Sequence, residues 1–294
     1  MYELIQVSEN CYYISSPTNI GVVRTSPDHA VVIDSGSDKD AGKKVKRILD
    51  QNGWTLDAVY NTHYHADHTG GNRYLQTNTG CRIYAPDIEC TFTRHPVLEP
   101  AFLYAGMPPK ELRHKFLMSK ESDAEILKED VLPDGFSIIP LPGHSFNMTG
   151  YLTPDGVAYI ADCLSSKATL DKYQISFLID PEAYIETLKR VMDLDAKCFV
   201  PCHADACSKD ELTELAKANI NKIYEVADRI TEITEEPKAF DDLLKEIFST
   251  YGLDMTFEQH ALIGTTVRSY LTWLEKQGKI EAYIEDDIMR FRKL

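Results

Sequence analysis

The run Thr62-His63-Tyr64-His65-Ala66-Asp67-His68 constrains this chain more than any other stretch, because it sets three imidazoles and a carboxylate within six residues. Only Asn61 separates it from the apolar stretch Ala58-Val59-Tyr60. If 58–61 is a strand, His63 and His65 return to one face just past its end, while Asp67 and His68 enter a turn or helix start. Neutral imidazole is the commonest metal ligand, and with a carboxylate nearby it suits zinc, iron or manganese. The chain has nine histidines, and three of them in one such window argue against a chance polar loop. A fold that carries this run must hold strand ends rigidly beside one another.

The rest of the chain reads as a mixture of short strands and amphipathic helices. Strand patterns at 11–14, 20–23 and 30–33 are separated by turn chemistry at Ser16-Pro17 and Ser26-Pro27-Asp28. Helical spacing over 38–51 places Val45, Ile48 and Leu49 on one side and stops at Asn52-Gly53. Another strand is expected at 81–84. Residues 87–130 differ: they carry Pro96, Pro100, Pro108 and Pro109, few clean strands and several aromatics, which fits equally an irregular or helical insertion that caps a pocket and a helical excursion packed on the core. Strand patterns return at 136–141, 149–152, 157–160 and 197–201, with a hairpin turn at Pro154-Asp155-Gly156 and a helix over 181–194. Ser208 caps a long helix that ends near Thr234-Glu235-Glu236-Pro237, the expected boundary between a domain of residues 1–236 and a smaller unit of residues 237–294. In that smaller unit two helices precede a hairpin, the order of a winged-helix module.

Four more residues stand where strands end: Asp34 after Val31-Val32-Ile33, His144 in Leu141-Pro142-Gly143-His144-Ser145, Asp162 after Tyr159-Ile160-Ala161, and His203 after Val200-Pro201-Cys202. With the histidine run they make an ordered set, and that set resembles the five motifs of the metallo-β-lactamase superfamily from about residue 4 to residue 203. Asp34 matches the first motif; His63, His65, Asp67 and His68 the second; His144, Asp162 and His203 the remaining three. The resemblance implies an α/β fold, a four-layer αββα sandwich, with a dinuclear metal site at one edge. One ion would take His63, His65 and His144, and the other Asp67, His68 and His203. Asp162 would bridge them, and Asp34 would support the ligands without binding metal. Zn²⁺ is the first expectation for this thiolate-free set, with iron and manganese as alternatives. Two such ions hold a bridging hydroxide that attacks a carbonyl or phosphoryl centre, with Asp67 orienting it.

Several subgroups of that family fit poorly. His65 stands where flavodiiron oxygen reductases carry glutamate, and the residues after Asp162 lack the Gly-Arg pattern of glyoxalase II. The expectation is therefore a metal-dependent hydrolase of a small ester, thioester or lactone. A metal-dependent endoribonuclease or phosphodiesterase is the alternative, because the tail resembles the appendage of the β-lactamase-like protein 2 group. A nucleic-acid-binding regulatory module with a vestigial metal site is a further one. Charge disfavours RNA as a partner: the formal net charge is −15, residues 239–294 hold seven basic against ten acidic side chains, and the turn Glu285-Asp286-Asp287 would repel phosphates. The tail is instead expected to be structural or to form a homodimer. Seven scattered cysteines, an N-terminus without a basic and apolar leader, and no membrane-length apolar run point to a cytoplasmic protein.

Overall fold

A computed structural model describes residues 2–294. The first sheet comprises β1 (Glu3–Gln6), β2 (Cys11–Ser15), β3 (Ile20–Ser26), β4 (His29–Ile33), β5 (Thr55–Tyr60), β6 (Arg82–Ala85) and β7 (Ala124–Ile126), in that spatial order. Its first three pairings are antiparallel, and β4 through β7 run parallel. A second sheet is ordered β11-β10-β9-β8, from β8 (Ser137–Pro140), β9 (Thr149–Leu152), β10 (Val157–Ala161) and β11 (Cys198–Pro201). A small third sheet joins β12 (Lys238–Ala239) to the hairpin of β13 (Ile280–Glu285) and β14 (Ile288–Lys293).

Alternation along the strands explains the layering. In β4, Val31 and Ile33 face a core shared with Tyr151, Tyr159 and Val200 of the second sheet, whereas Val32 faces outward onto Val45 and Leu49. Successive side chains on a strand point to opposite faces, so an unbroken apolar run marks a sheet covered on both sides. The outer cover of the first sheet includes α1 (Lys39–Gln51) and α3 (Asn72–Thr79), which follows the short α2 (Ala66–Thr69). Asp38 caps α1 by accepting from the backbone N–H groups of Asp40 and Ala41. The second sheet is covered by α7 (Pro181–Asp193) and α8 (Lys209–Ile233), after the short α6 (Lys167–Tyr173). Helix α8 starts in a capping box made by Ser208 and Glu211. The result is the helix–sheet–sheet–helix order expected from the sequence.

Within 87–130 lie α4 (Asp87–Arg94) and α5 (Leu98–Tyr104), and the segment then returns β7 to the sheet edge, parallel to β6. Leu103, Leu112 and Leu117 of this segment pack on Ala261 of the C-terminal region. That region holds α9 (Phe240–Tyr251), α10 (Phe257–Lys276) and the β13–β14 hairpin. Leu243, Ile247, Val267 and Trp273 of these helices share one continuous core with Leu188, Val191, Ala216 and Ile223 of α7 and α8. Asp286 and Asp287 form the two-residue hairpin turn with positive φ angles of 50° and 58°, the left-handed pair such a turn requires. Among the described residues no helix is long and apolar enough to cross a membrane.

Candidate metal centre

The ligand-type side chains meet at one edge of the sandwich because the strands that carry them end there. His63 and His65 follow β5, Asp162 follows β10 and His203 follows β11, while Asp67 and His68 form the first turn of α2. Two of these exits are strained: Asp34 after β4 and Ala161 before Asp162 have φ angles of 64° and 50°. Non-glycine residues rarely adopt that region, and its occurrence at two strand ends beside the cluster is what a preorganised site costs in backbone energy. His144 lies in a loop pressed against α7. There Gly143 has φ 124°, and a Cβ on it would stand 2.4 Å from the backbone nitrogen of Tyr184. Only glycine lets the loop approach that closely.

The side chains converge in two groups. Nδ1 of His65 lies 2.9 Å from Nε2 of His63 and 3.0 Å from Nε2 of His144. Opposite them, Oδ2 of Asp67 lies 3.5 Å from Nε2 of His68 and 3.4 Å from Nε2 of His203. Oδ2 of Asp162 stands between the groups, 3.1 Å from His203, 3.3 Å from His68 and 3.5 Å from His144 at their Nε2 atoms. Thus all seven ligand candidates read from the sequence are brought together, and Asp34 sits behind them.

The outer hydrogen bonds fix which ring nitrogen faces inward. A carbonyl or carboxylate oxygen can only accept, so the imidazole nitrogen beside it carries a proton and the other nitrogen is the one left to ligate. Nδ1 of His68 donates to Asp34 at 2.8 Å, that of His144 to the Phe177 carbonyl at 3.0 Å, and that of His203 to the Pro17 carbonyl at 3.0 Å. Asp34 is fully buried and also accepts from the Thr62 backbone N–H and the Thr62 hydroxyl, both at 2.8 Å. Thr18 donates its hydroxyl to Asp67 at 2.8 Å.

The fit to a divalent cation shows in atoms that have nothing else to bind. Nε2 of His68 and Oδ1 of Asp162 are buried without a hydrogen-bond partner. Orphans of this kind are rare in folded proteins, and an ion or water is the usual reason. Electrostatics agree. Burial favours neutral His68, but Asp162, Asp67 and Asp34 outweigh it and raise its pKa well above the usual value. Asp162 does the same for His203. Burial alone would raise the Asp67 and Asp162 carboxyls, yet their histidine neighbours hold both below the usual carboxylate range. Burial keeps His63 and His65 neutral.

Because His68 and His203 hold protons at neutral pH without metal and must lose them to ligate, zinc uptake at pH 7 should release protons and weaken as pH falls. Calorimetric titrations in two buffers of different ionisation enthalpy check this. Heats independent of buffer would contradict it.

Cys202 is buried 4.0 Å from Asp34, and its thiol is pushed up to about 11 by burial despite the pull of His68, so it stays a thiol. Burial raises Cys163 far above its ordinary value, and it packs in the core beside Leu164. His95, His114 and His260 belong to no cluster of ligand-type atoms among the described residues.

Sequence reasoning missed Glu89 of α4. Its carboxylate is fully buried, accepts from the Ser145 hydroxyl at 2.9 Å and the Asn147 N–H at 2.6 Å, and takes the Tyr64 N–H at 3.2 Å. It therefore ties the loop of His63 and His65 to that of His144. Burial raises it to about 7, against the pull of those three donors. The only trace in the sequence is that Glu89 and Thr93, four residues apart, share the inner face of a short helix. Glu89→Ala should lower zinc affinity about tenfold by freeing both loops, as loss of an outer support commonly does. Competition with a chromophoric chelator measures it, and unchanged affinity would remove Glu89 from the site.

A cavity of about 820 Å³ opens on Asp67, His144, Asp162 and His203. Of the 87–130 segment, for which a cap is one of two expectations, only Phe116 lines it. The segment packs instead against α10, and the link between α6 and α7 together with α10 forms much of the wall.

Comparison with known proteins follows the same lines. A family model described as the metallo-beta-lactamase superfamily matches residues 15–203, a span that contains every ligand candidate and Asp34. The hydroxyacylglutathione hydrolase of Maricaulis maris is 29% identical over 119 residues, 39% of this chain and 36% of that protein. That of Brucella canis is 32% identical over 89 residues, 30% of this chain and 34% of its own length. The matched segments thus span about a third of these curated relatives. A beta-lactamase domain protein from Burkholderia ambifaria superposes with a TM-score of 0.72 at 16% identity, over 99% of this chain and 94% of that one. A metallo-beta-lactamase family protein from Thermus thermophilus gives 0.73 at 14% identity, over 100% and 98%. At such identities the likeness shows the fold.

Proposed function

The chain belongs to the metallo-β-lactamase superfamily, and from that premise we propose that it is a metal-dependent hydrolase of a small ester, thioester or lactone. The observation that carries the reading is Asp162, whose Oδ2 lies within 3.5 Å of ligand nitrogens from both groups while its Oδ1 has no partner. His63, His65 and His144 would hold one divalent ion, Asp67, His68 and His203 a second, and Asp162 would touch both. Zinc is the first choice, because the set is imidazole and carboxylate without thiolate. A bound pair of this kind supplies a nucleophile derived from water at neutral pH and polarises the substrate's carbonyl oxygen.

The chain's own groups do the positioning. Asp67 lines the cavity and is held by Thr18, so its ionised carboxylate can orient an attacking water toward the carbonyl carbon. The proton taken from that water can pass to the carboxylate of Asp67, which borders the cavity and has a second oxygen to receive it. His63 and His68 are fully buried and serve only to hold. Asp34 keeps His68 in one tautomer throughout. Hydroxyacylglutathione, the compound in the name of the curated relatives, is an acyl thioester and fits this reaction class.

A nucleic-acid substrate is disfavoured by the same cavity. Among the described residues its lining has no arginine and a single lysine, Lys172, against the carboxylates of Asp67, Asp162 and Glu258. The acidic Asp286-Asp287 turn makes the C-terminal hairpin an equally poor partner for phosphates. Zinc-reconstituted protein assayed on esters, thioesters and lactones tests the proposal. Turnover that is lost on chelation and in His63→Ala supports it, whereas cleavage of single-stranded RNA with none of these acyl compounds cleaved overturns it.

A further inference from the structure

The cavity that starts at the candidate ligands does not end among polar groups. Beyond His144 and Asp162 its wall runs along Leu164, Ile175 and Phe177, and then across Leu262 and Ile263 of α10. Phe177 and Leu262 are the partly exposed members of this wall, and Leu164, Ile175 and Ile263 are buried side chains that back it. Charge is confined to Glu258 and to Lys172, whose Nζ lies 3.0 Å from the hydroxyl of Tyr173, itself half exposed. An apolar wall that leads away from a few convergent polar groups is how small-molecule sites fix one end of a ligand and sort the other.

Resting on the hydrolase reading above, we propose that the site selects acyl substrates by an extended apolar chain, laid against Leu164, Ile175, Phe177, Leu262 and Ile263. The scissile carbonyl then sits at Asp67 and Asp162. The C-terminal helix α10 is thereby part of the specificity pocket, and its packing on α5 and on the link before α7 fixes that wall. A polyanionic acyl carrier has no cationic cluster to meet in this cavity. A neutral or small leaving group suits its mouth, which Phe116 and Tyr173 border.

Chain-length dependence tests this with the zinc-loaded full chain and a series of N-acetylcysteamine thioesters from acetyl to octanoyl. Each methylene that leaves water for such a wall raises kcat/KM about threefold, so burial of only two of the six added methylenes already makes the octanoyl compound exceed the acetyl one about tenfold. Leu262→Gln, chosen because Leu262 is only partly buried, should lower the octanoyl-to-acetyl ratio about fivefold while retaining its zinc. Cleavage indifferent to chain length, or a ratio untouched by Leu262→Gln, overturns the acyl pocket and leaves the hydrolase reading standing. No cleavage of any thioester, ester or lactone overturns both.

Discussion

Asp162→Ala lowers kcat/KM at least about a thousandfold on any substrate the protein hydrolyses. The magnitude follows from position. Asp162 Oδ2 approaches His68, His144 and His203 together, so its loss separates two ligand groups that otherwise share a charge. It also removes the main influence that raises His203. The variant should therefore bind less zinc and release fewer protons on binding at pH 7. Asp162→Asn is the sharper control, because it keeps the volume and loses the charge. Wild-type turnover and zinc content in Asp162→Asn would contradict a shared carboxylate.

Asp34→Ala is the second large effect, and it reaches stability as well as metal. The substitution leaves the Thr62 N–H, the Thr62 hydroxyl and the His68 Nδ1–H without their acceptor in a fully buried place. Each orphaned donor costs about 1–3 kcal/mol, partly relieved by relaxation or an entering water, so a net loss of about 3 kcal/mol is expected. Zinc affinity should fall about 10- to 100-fold, since His68 loses the partner that fixes its tautomer and direction. Urea unfolding of the metal-free variant and chelator competition separate the two effects. An unchanged unfolding midpoint would show that the Asp34 contacts add nothing.

The residues that announce the site were legible because metal ligation demands particular side chains at strand ends. Two-residue spacing in His63 and His65, and apolar runs before Asp34, Asp162 and His203, leave marks in sequence. So do strands covered on both faces, such as Val31-Val32-Ile33. What supports those ligands was hidden, because it depends on distance across the fold. Glu89 meets Ser145 and Asn147 more than fifty residues away, and His144 and His203 rest on main-chain carbonyls that any residue type could present. The pocket wall was unreadable for the same reason. Leu262 and Ile263 look like ordinary core positions of an amphipathic helix until α10 is seen against Phe177. The short α6 gave little warning, being seven residues that begin at a Ser166 cap. The place of the 87–130 segment was unreadable as well, because its prolines and aromatics fit a cap over a pocket and an excursion packed on the core equally.

Metal content tests the central claim most directly. Protein prepared without chelator, analysed by elemental mass spectrometry and then stripped and titrated with zinc, is predicted to hold about two divalent ions per chain, with His63→Ala reduced at the His65 and His144 side. Less than about one ion per chain, or a full complement in His63→Ala, would contradict the account.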